Sequence, residues 1–359
     1  MKPLLIVENL KVWYPLRTGL FGLLGLRGRR YVRAVDGVNL TVGAGETFCL
    51  VGESGCGKST LLRAVMMLVD RDSIAGGRIL FRPHEEVLRY ALERQPHAVV
   101  KDEYIDIYAV RGFLSRLMRR EIQIVFQDPY GSLNPRMKVR EIIEEPLLVH
   151  GVKNSEERLK RVIEVMRLVR LDPPEEFLDR YPHQLSGGQR QRVAIARAVV
   201  LNPRLLLADE PVTMLDVSIK AEVLQVLERV KKERGLSILF VTHDLALARY
   251  VCDRVGIMYL GKIVEVGKVD EVIESPLHPY TKALIKAVPD VAPELKKVLK
   301  EVPIKGEVTS AVNIPLGCRF RPRCVEYDAN EWVRPRCERE EPELREVTPG
   351  HWSACWLHR

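Results

Sequence analysis

The sequence predicts an α/β fold with a largely parallel sheet, followed by a small C-terminal cysteine-rich domain. Three observations predict it. Short apolar or β-branched runs alternate with segments of helical spacing from residue 4 to residue 251, the order that sets parallel strands between helices. A glycine-rich loop stands between one such run and the helix after it. Beyond Gly267 the alternation stops and prolines accumulate (Pro276, Pro279, Pro289, Pro293, Pro303, Pro315), and four of the seven cysteines fall in the last 42 residues. The predicted domains are therefore 1–268 and 269–359, in keeping with a chain of 359 residues at about 150 residues per domain.

The elements follow in order. Residues 4–7 read as a strand, and 38–42 alternate apolar and polar side chains as a second strand does. The run at 47–51 is continuously apolar, and 59–68 has helical character. Residues 77–81 read as a strand, whereas 82–118 carry so much charge that no pattern emerges. A strand is predicted at 121–126. Leu159, Val162, Ile163, Val165, Met166 and Val169 share one helical face over 155–171, which Pro173 and Pro174 close. A helix at 189–200, a buried strand at 205–208 and a helix at 219–233 ended by Gly235 come next. A strand at 237–241 and a helix at 245–251 complete the alternation.

Composition excludes whole classes. With 46% hydrophobic and 29% charged residues, the chain fits an ordinary soluble protein and not a disordered one. No window of 18 uninterrupted apolar residues exists, so none predicts a membrane span. The first ten residues carry Glu8 and lack a long apolar core, unlike a secretory signal. The chain reads as cytosolic, held at a membrane through a partner. Its net charge of +8 accommodates nucleic acid, anionic lipid or phosphate and demands none of them.

Residues Gly52 to Thr60 fit G-x-x-x-x-G-K-[ST], after a strand and opening a helix. The chemistry needs these residue types. Gly52, Gly55 and Gly57, with Ser54 and Cys56 as small spacers, let backbone N–H groups converge on phosphate oxygens. The helix N-terminus beyond them, with Thr60, adds a partial positive charge. Lys58 reaches the β- and γ-phosphates, and the Ser59 hydroxyl ligates Mg²⁺. Downstream, an apolar strand ends in Asp209 and Glu210. Asp209 stands where Mg²⁺ is bound through water, and Glu210 where the attacking water is oriented or deprotonated.

Between those motifs lies Leu185-Ser186-Gly187-Gly188-Gln189, and here the chain resembles the ABC-type ATPases. The resemblance implies a P-loop nucleotide-binding domain with an inserted helical subdomain at about 130–195. It also implies that Ser186, Gly187, Gly188 and Gln189 open a helix facing the γ-phosphate of an ATP held by a second subunit. Gln127 occupies the Q-loop position, expected to contact Mg²⁺ or water and to couple to a membrane partner. Thr213-Met-Leu-Asp216 occupies the D-loop position, where the family more often has Ser-Ala-Leu-Asp. His243 takes the switch position toward the γ-phosphate. Tyr14 is expected to stack on adenine, with Tyr31 as its rival.

Further stretches, Phe-Gln-Asp-Pro-Tyr-Gly-Ser-Leu-Asn-Pro-Arg136, Leu-Asp-Val-Ser218 and Ser-Pro-Leu-His-Pro-Tyr-Thr281, are similar to the ATPase subunits of oligopeptide and dipeptide importers. That likeness implies two ATPases, this chain and a paralogue, under two permeases fed by an extracytoplasmic binding protein, with ATP and Mg²⁺ bound. Peptides are the expected substrate class, with oligosaccharides as a second. Cys318, Cys324, Cys337 and Cys355 are spaced C-x5-C-x12-C-x17-C, neither a compact ferredoxin run nor a zinc ribbon. Four thiolates suit zinc or a [4Fe–4S] cluster; the importer resemblance implies the cluster. Arg319, Arg321, Arg323, Arg334 and Arg336 would offset its charge.

Residues 16–33 form an apolar and basic insertion, which suits either anionic lipid or a hairpin packed on a permease or on the domain itself. The alternative function is a soluble ABC ATPase acting on nucleic acid or ribosomes. A single phosphate loop, a single signature and the lack of an aromatic-rich RNA-binding motif weigh against it. Intact Lys58, Asp209, Glu210 and His243 weigh against an inactive regulatory subunit.

Overall fold

A computed structural model describes residues 2–16, 30–101, 103–287, 304–306 and 310–358. Of the insertion expected at 16–33, residues 17–29 lie outside them. The strands, in chain order, are β1 (Pro3–Pro15), β2 (Tyr31–Gly43), β3 (Thr47–Val51), β4 (Ile74–Phe81), β5 (Val99–Val100), β6 (Tyr104–Asp106), β7 (Ile122–Val125), β8 (Leu205–Asp209), β9 (Ser237–Thr242), β10 (Arg254–Tyr259), β11 (Lys262–Lys268), β12 (Arg345–Thr348) and β13 (His351–Ser353). The chain forms two compact units: Met1–Ile6, Thr41–Thr47 and Leu80–Phe240 in one, Val7–Leu40, Phe48–Ile79 and Val241–Arg359 in the other.

In the first unit β7 and β8 pair in parallel, Ile122 opposite Leu205 and Val125 opposite Ala208. Leu205 to Ala208 are all buried, which is why β8 reads as an unbroken apolar run rather than an alternation. Helices Val139–Val149, Ser155–Leu168 and Gly187–Val199 pack on one another. The second of these starts where the Asn154 side chain accepts from the N–H groups of Glu156 and Glu157, satisfying donors that a helix end otherwise leaves open. The stretch 82–118 resolves into helix Glu85–Arg94, the two short strands β5 and β6, and the start of helix Gly112–Glu121. Val87, Ala91, Leu114 and Met118 form its buried face.

In the second unit Phe48 to Val51 of β3 are all buried, and they pair in parallel with β10, Phe48 opposite Arg254. β10 turns into β11 through Leu260 and Gly261, at φ 42° and 80°. Two left-handed residues match the twist of a two-residue hairpin. The Leu260 carbonyl accepts from Arg319. β13 extends β11, Glu265 opposite Ser353, and β12 pairs with β13, so residues beyond 340 add strands to the sheet edge. Cys49 and Cys252, scattered in sequence, are joined as a disulfide with Cα atoms 5.9 Å apart. Among the described residues no helix is long and apolar enough to cross a membrane.

Candidate nucleotide and catalytic site

The phosphate loop belongs to the second unit. Gly57 is the residue before helix Lys58–Val65 and has φ 110°, a backbone conformation that L side chains rarely adopt. A Cβ there would strike the Ala34 carbonyl, and one at Gly52 would strike the Met258 carbonyl. Both glycines therefore answer to close backbone approach, and Gly57 to its φ as well. Lys58 is buried, and its Nζ donates to the carbonyls of Gly52 at 2.6 Å and Glu53 at 2.9 Å. Burial pushes the Cys56 thiol up, against the pull of Lys58. Ser54, Gly55, Ser59 and Thr60 complete the loop and the first turn of its helix.

Tyr14 and His243 lie in the same unit. Tyr14 is a half-buried residue near the end of β1. Its rival Tyr31 packs against Trp13, ring centres 6.1 Å apart, and Trp13 donates to Asp36 at 3.0 Å. His243 is exposed, directly after β9. Asp244 caps the next helix by accepting from the N–H groups of Ala246 and Leu247.

The carboxylates and the signature belong to the first unit. Asp209 ends β8, and Glu210 follows at φ 46°, a left-handed conformation that costs a non-glycine residue energy and concentrates at functional sites. Gln127 Nε2 lies 3.5 Å from Glu210 Oε2, and Thr213 Oγ1 donates to that oxygen at 3.0 Å. The Thr213 contact was not legible as a function; its position three residues after Glu210, within reach across a turn, is the signal that could have found it.

Ser186 accepts from Gln189 N–H at 3.2 Å, and Gln189 Oε1 accepts from Ser186 N–H at 2.9 Å, a reciprocal cap on helix Gly187–Val199. The motif thus fixes its own helix end while Ser186 stays exposed. Gly187 faces Leu215, and Gly188 abuts Ile219, just after Asp216. Asp216 is exposed and precedes helix Val217–Arg234.

Cys318, Cys324, Cys337 and Cys355 all line one cavity of about 20 Å³, with His278, Phe320 and Trp356. Cys318 donates to Cys337, so Cys318 is held far above the ordinary thiol range and Cys337 is lowered. Burial pushes Cys324 up to about 11 and Cys355 to about 12. Among the described residues no group of three or more His, Cys, Asp or Glu is arranged to hold a metal ion. Two of the arginines expected to offset a thiolate charge are engaged elsewhere: Arg319 with Asp36 and Glu341, Arg323 with Glu53. Arg321 does bear on Cys337.

The comparisons with known proteins agree with the motifs. The ABC transporter family matches residues 35–213, and the C-terminal region of oligopeptide/dipeptide transporters matches residues 264–329. The putative oligopeptide transport ATP-binding protein YkfD of Bacillus subtilis is 44% identical over 332 residues, covering 92% of this chain and 91% of its own. The oligopeptide transport ATP-binding protein OppF of Escherichia coli is 41% identical, covering 96% and 93%. Among solved structures, the ATP-binding cassette MJ0796, dimeric and bound to ADP and Pi, superposes with a TM-score of 0.56 at 29% identity, covering 74% of this chain and 98% of that one. The chain belongs to the ATP-binding proteins of oligopeptide- and dipeptide-type ABC transporters.

Proposed function

We propose that this chain hydrolyses ATP to power peptide import through an ABC transporter, working with two permeases, a paralogous ATPase and an extracytoplasmic binding protein, on the cytoplasmic face of the membrane. The observation that carries the reading is Glu210, a carboxylate on a strained turn at the end of β8, with Gln127 and Thr213 at its Oε2. Relatives alike over nearly their whole length are named as peptide transport ATP-binding proteins, which supports peptides over oligosaccharides and favours import over action on nucleic acid.

In this reading Tyr14 stacks on adenine. The amides of residues 55–60 and Lys58 hold the phosphates. Ser59, Asp209 and Gln127 would hold Mg²⁺, which would supply charge neutralisation for the phosphates. Glu210 takes the proton of the attacking water while His243 holds the γ-phosphate end. Ser186, Gly187, Gly188, Gln189 and Asp216 face the ATP of the second subunit, so each site is completed across a dimer. Residues 1–268 act as the nucleotide-binding domain, with its helical part at about 130–195, and 269–359 as the regulatory and structural domain.

The four cysteines suit a metal group by donor type, as four thiols lining one cavity, although among the described residues they are not arranged to hold an ion. The resemblance to the importer ATPases is what favours an iron–sulfur cluster over zinc, and we assign it a structural role. The test is purification of the tagged chain from detergent-solubilised membranes, with mass spectrometry and iron, zinc and acid-labile sulfide assays. The expected product holds two permeases, a second ATPase and about four irons per chain. Nucleic acid without permeases would overturn the import reading; zinc, or no metal, would overturn the cluster.

A further inference from the structure

Glu53, the second residue of the phosphate loop, has no role in the chemistry derived above, yet its backbone and its side chain are both held. Its backbone N–H donates to the Tyr280 hydroxyl at 3.0 Å. Its carboxylate accepts two bonds from Arg323, Nη1 to Oε2 at 2.9 Å and Nη2 to Oε1 at 3.2 Å. Its carbonyl accepts from Lys58. Two of these grips come from residues more than 220 positions away, in the segment that carries the cysteines.

Both holders are themselves fixed. Tyr280 is fully buried, packed against Tyr259 at 4.7 Å and Phe320 at 5.5 Å between ring centres. Its N–H donates to His278 Nδ1 at 3.0 Å. The N–H groups of Leu277 and His278 each donate to the buried Glu265 carboxylate at 2.8 Å, and His351 pairs with it at 2.7 Å. The stretch Ser-Pro-Leu-His-Pro-Tyr-Thr281 is thereby an anchor whose far end is the Tyr280 hydroxyl. Arg323 has a side chain only 8% exposed and ends the turn Arg321–Arg323, its guanidinium 5.8 Å from the Tyr259 ring centre. A planar guanidinium meeting a carboxylate through two parallel bonds fixes orientation as well as charge.

We propose that Arg323 and Tyr280 are positioning residues for nucleotide binding: together they hold Glu53 so that the loop amides stay convergent on the triphosphate, and Arg323 neutralises a carboxylate that would otherwise repel it. The inference rests on the phosphate-loop reading of residues 52–60. A negative side chain beside a phosphate site disfavours the bound anion unless a cation faces it. Arg323 is that cation.

The two halves of the role separate in a cycle. MgATP binding to the full-length chain is measured by calorimetry for the wild type, Arg323→Ala, Arg323→Lys, Glu53→Ala, Arg323→Ala with Glu53→Ala, and Tyr280→Phe. Loss of the paired arginine is expected to raise the ATP Kd about tenfold, the scale of a charge-assisted bond. Removing Glu53 as well deletes the orphaned carboxylate, so the double variant returns to within about threefold of the wild type, and Arg323→Lys falls between. Tyr280→Phe keeps the ring packing and loses the acceptor, raising Kd about threefold. In the assembled transporter the ATP KM rises while kcat stays within about twofold.

An Arg323→Ala Kd equal to the wild type, or a rise that Glu53→Ala fails to relieve, overturns the proposal; the second result is what a purely structural arginine gives. Should Arg323→Ala not fold, an unchanged Kd in Tyr280→Phe overturns it. A wild-type chain that binds no MgATP defeats the phosphate-loop reading instead, so the two failures are distinct.

Discussion

Gly188 gives the sharpest perturbation of the signature helix. An alanine Cβ there would sit 2.5 Å from Ile219 Cγ2 and 3.9 Å from Ile219 Cβ. Carbon atoms in contact lie about 3.5–4.0 Å apart, so the first distance forces movement and the second is ordinary contact. Ile219 cannot simply swing away, because a β-branched side chain in a helix has one strongly preferred χ1. Alanine would by itself favour the helix by about 0.5–1 kcal/mol, while overpacking a fitted site costs about 1–3 kcal/mol. The expected net is a destabilisation of about 0.5–2 kcal/mol for Gly188→Ala. Ile219→Ala removes the Cγ2 that clashes and leaves the atom at 3.9 Å. The double variant is therefore more stable than the two single effects summed, by about 1 kcal/mol or more, and recovers hydrolysis lost in Gly188→Ala. Thermal unfolding followed by circular dichroism on the four proteins, with ATPase rates in the assembled transporter, measures the cycle. Additivity within about 0.5 kcal/mol would refute the reasoning, since it would mean that the two helices do not meet at this glycine.

Other outcomes follow from the site. Glu210→Gln slows hydrolysis at this chain's site by at least ~10², typical of a lost general base, and leaves MgATP affinity within about twofold of the wild type; unchanged single-site turnover would remove Glu210 from that role. Lys58→Ala weakens MgATP binding tenfold or more in calorimetry, since its Nζ is the loop's own phosphate-seeking cation. Tyr14→Ala raises the ATP Kd at least about fivefold through lost stacking, whereas Tyr31→Ala, whose ring packs on Trp13, leaves it unchanged; the reverse order would reassign the adenine contact. Cys324→Ser lowers iron and labile sulfide in the purified chain together, and iron retained at the wild-type level would exclude Cys324 as a ligand.

The fold was legible where side chains declare the environment. β3 and β8 stand out because strands buried on both faces are continuously apolar, and the helix ending at Gly235 because a left-handed cap at φ 62° selects glycine. The extents were harder. β1 and β2 each run 13 residues, while the alternation visible in sequence covers only a part of either. Residues 82–118 stayed opaque because β5 and β6 have two and three residues, too few to show a period. The helices beside them are rich in charge around only two buried positions in the first and three in the second.

For the site, motifs located the loop, the carboxylates and the signature without any coordinates, because phosphate and metal chemistry restrict residue type and spacing together. What the motifs left out are contacts made by distant chain segments. Nothing in the spacing of Glu53, Tyr280 and Arg323 announces that they meet, nor that Cys49 reaches Cys252. Arg319 and Arg323 looked like counter-charges for the thiols by proximity in sequence, and instead hold Asp36, Glu341 and Glu53. Sequence neighbours of a cluster need not face it.

Coupling of hydrolysis to transport is read in ATP-driven uptake of a radiolabelled peptide into proteoliposomes carrying the purified transporter, with its binding protein supplied on the outer side and ATP enclosed. Peptide is expected to accumulate with ATP and not with ADP, and accumulation to fall at least about tenfold when this chain carries Glu210→Gln. Vigorous ATP hydrolysis with no accumulation of peptide, or accumulation undiminished by Glu210→Gln, would contradict that coupling.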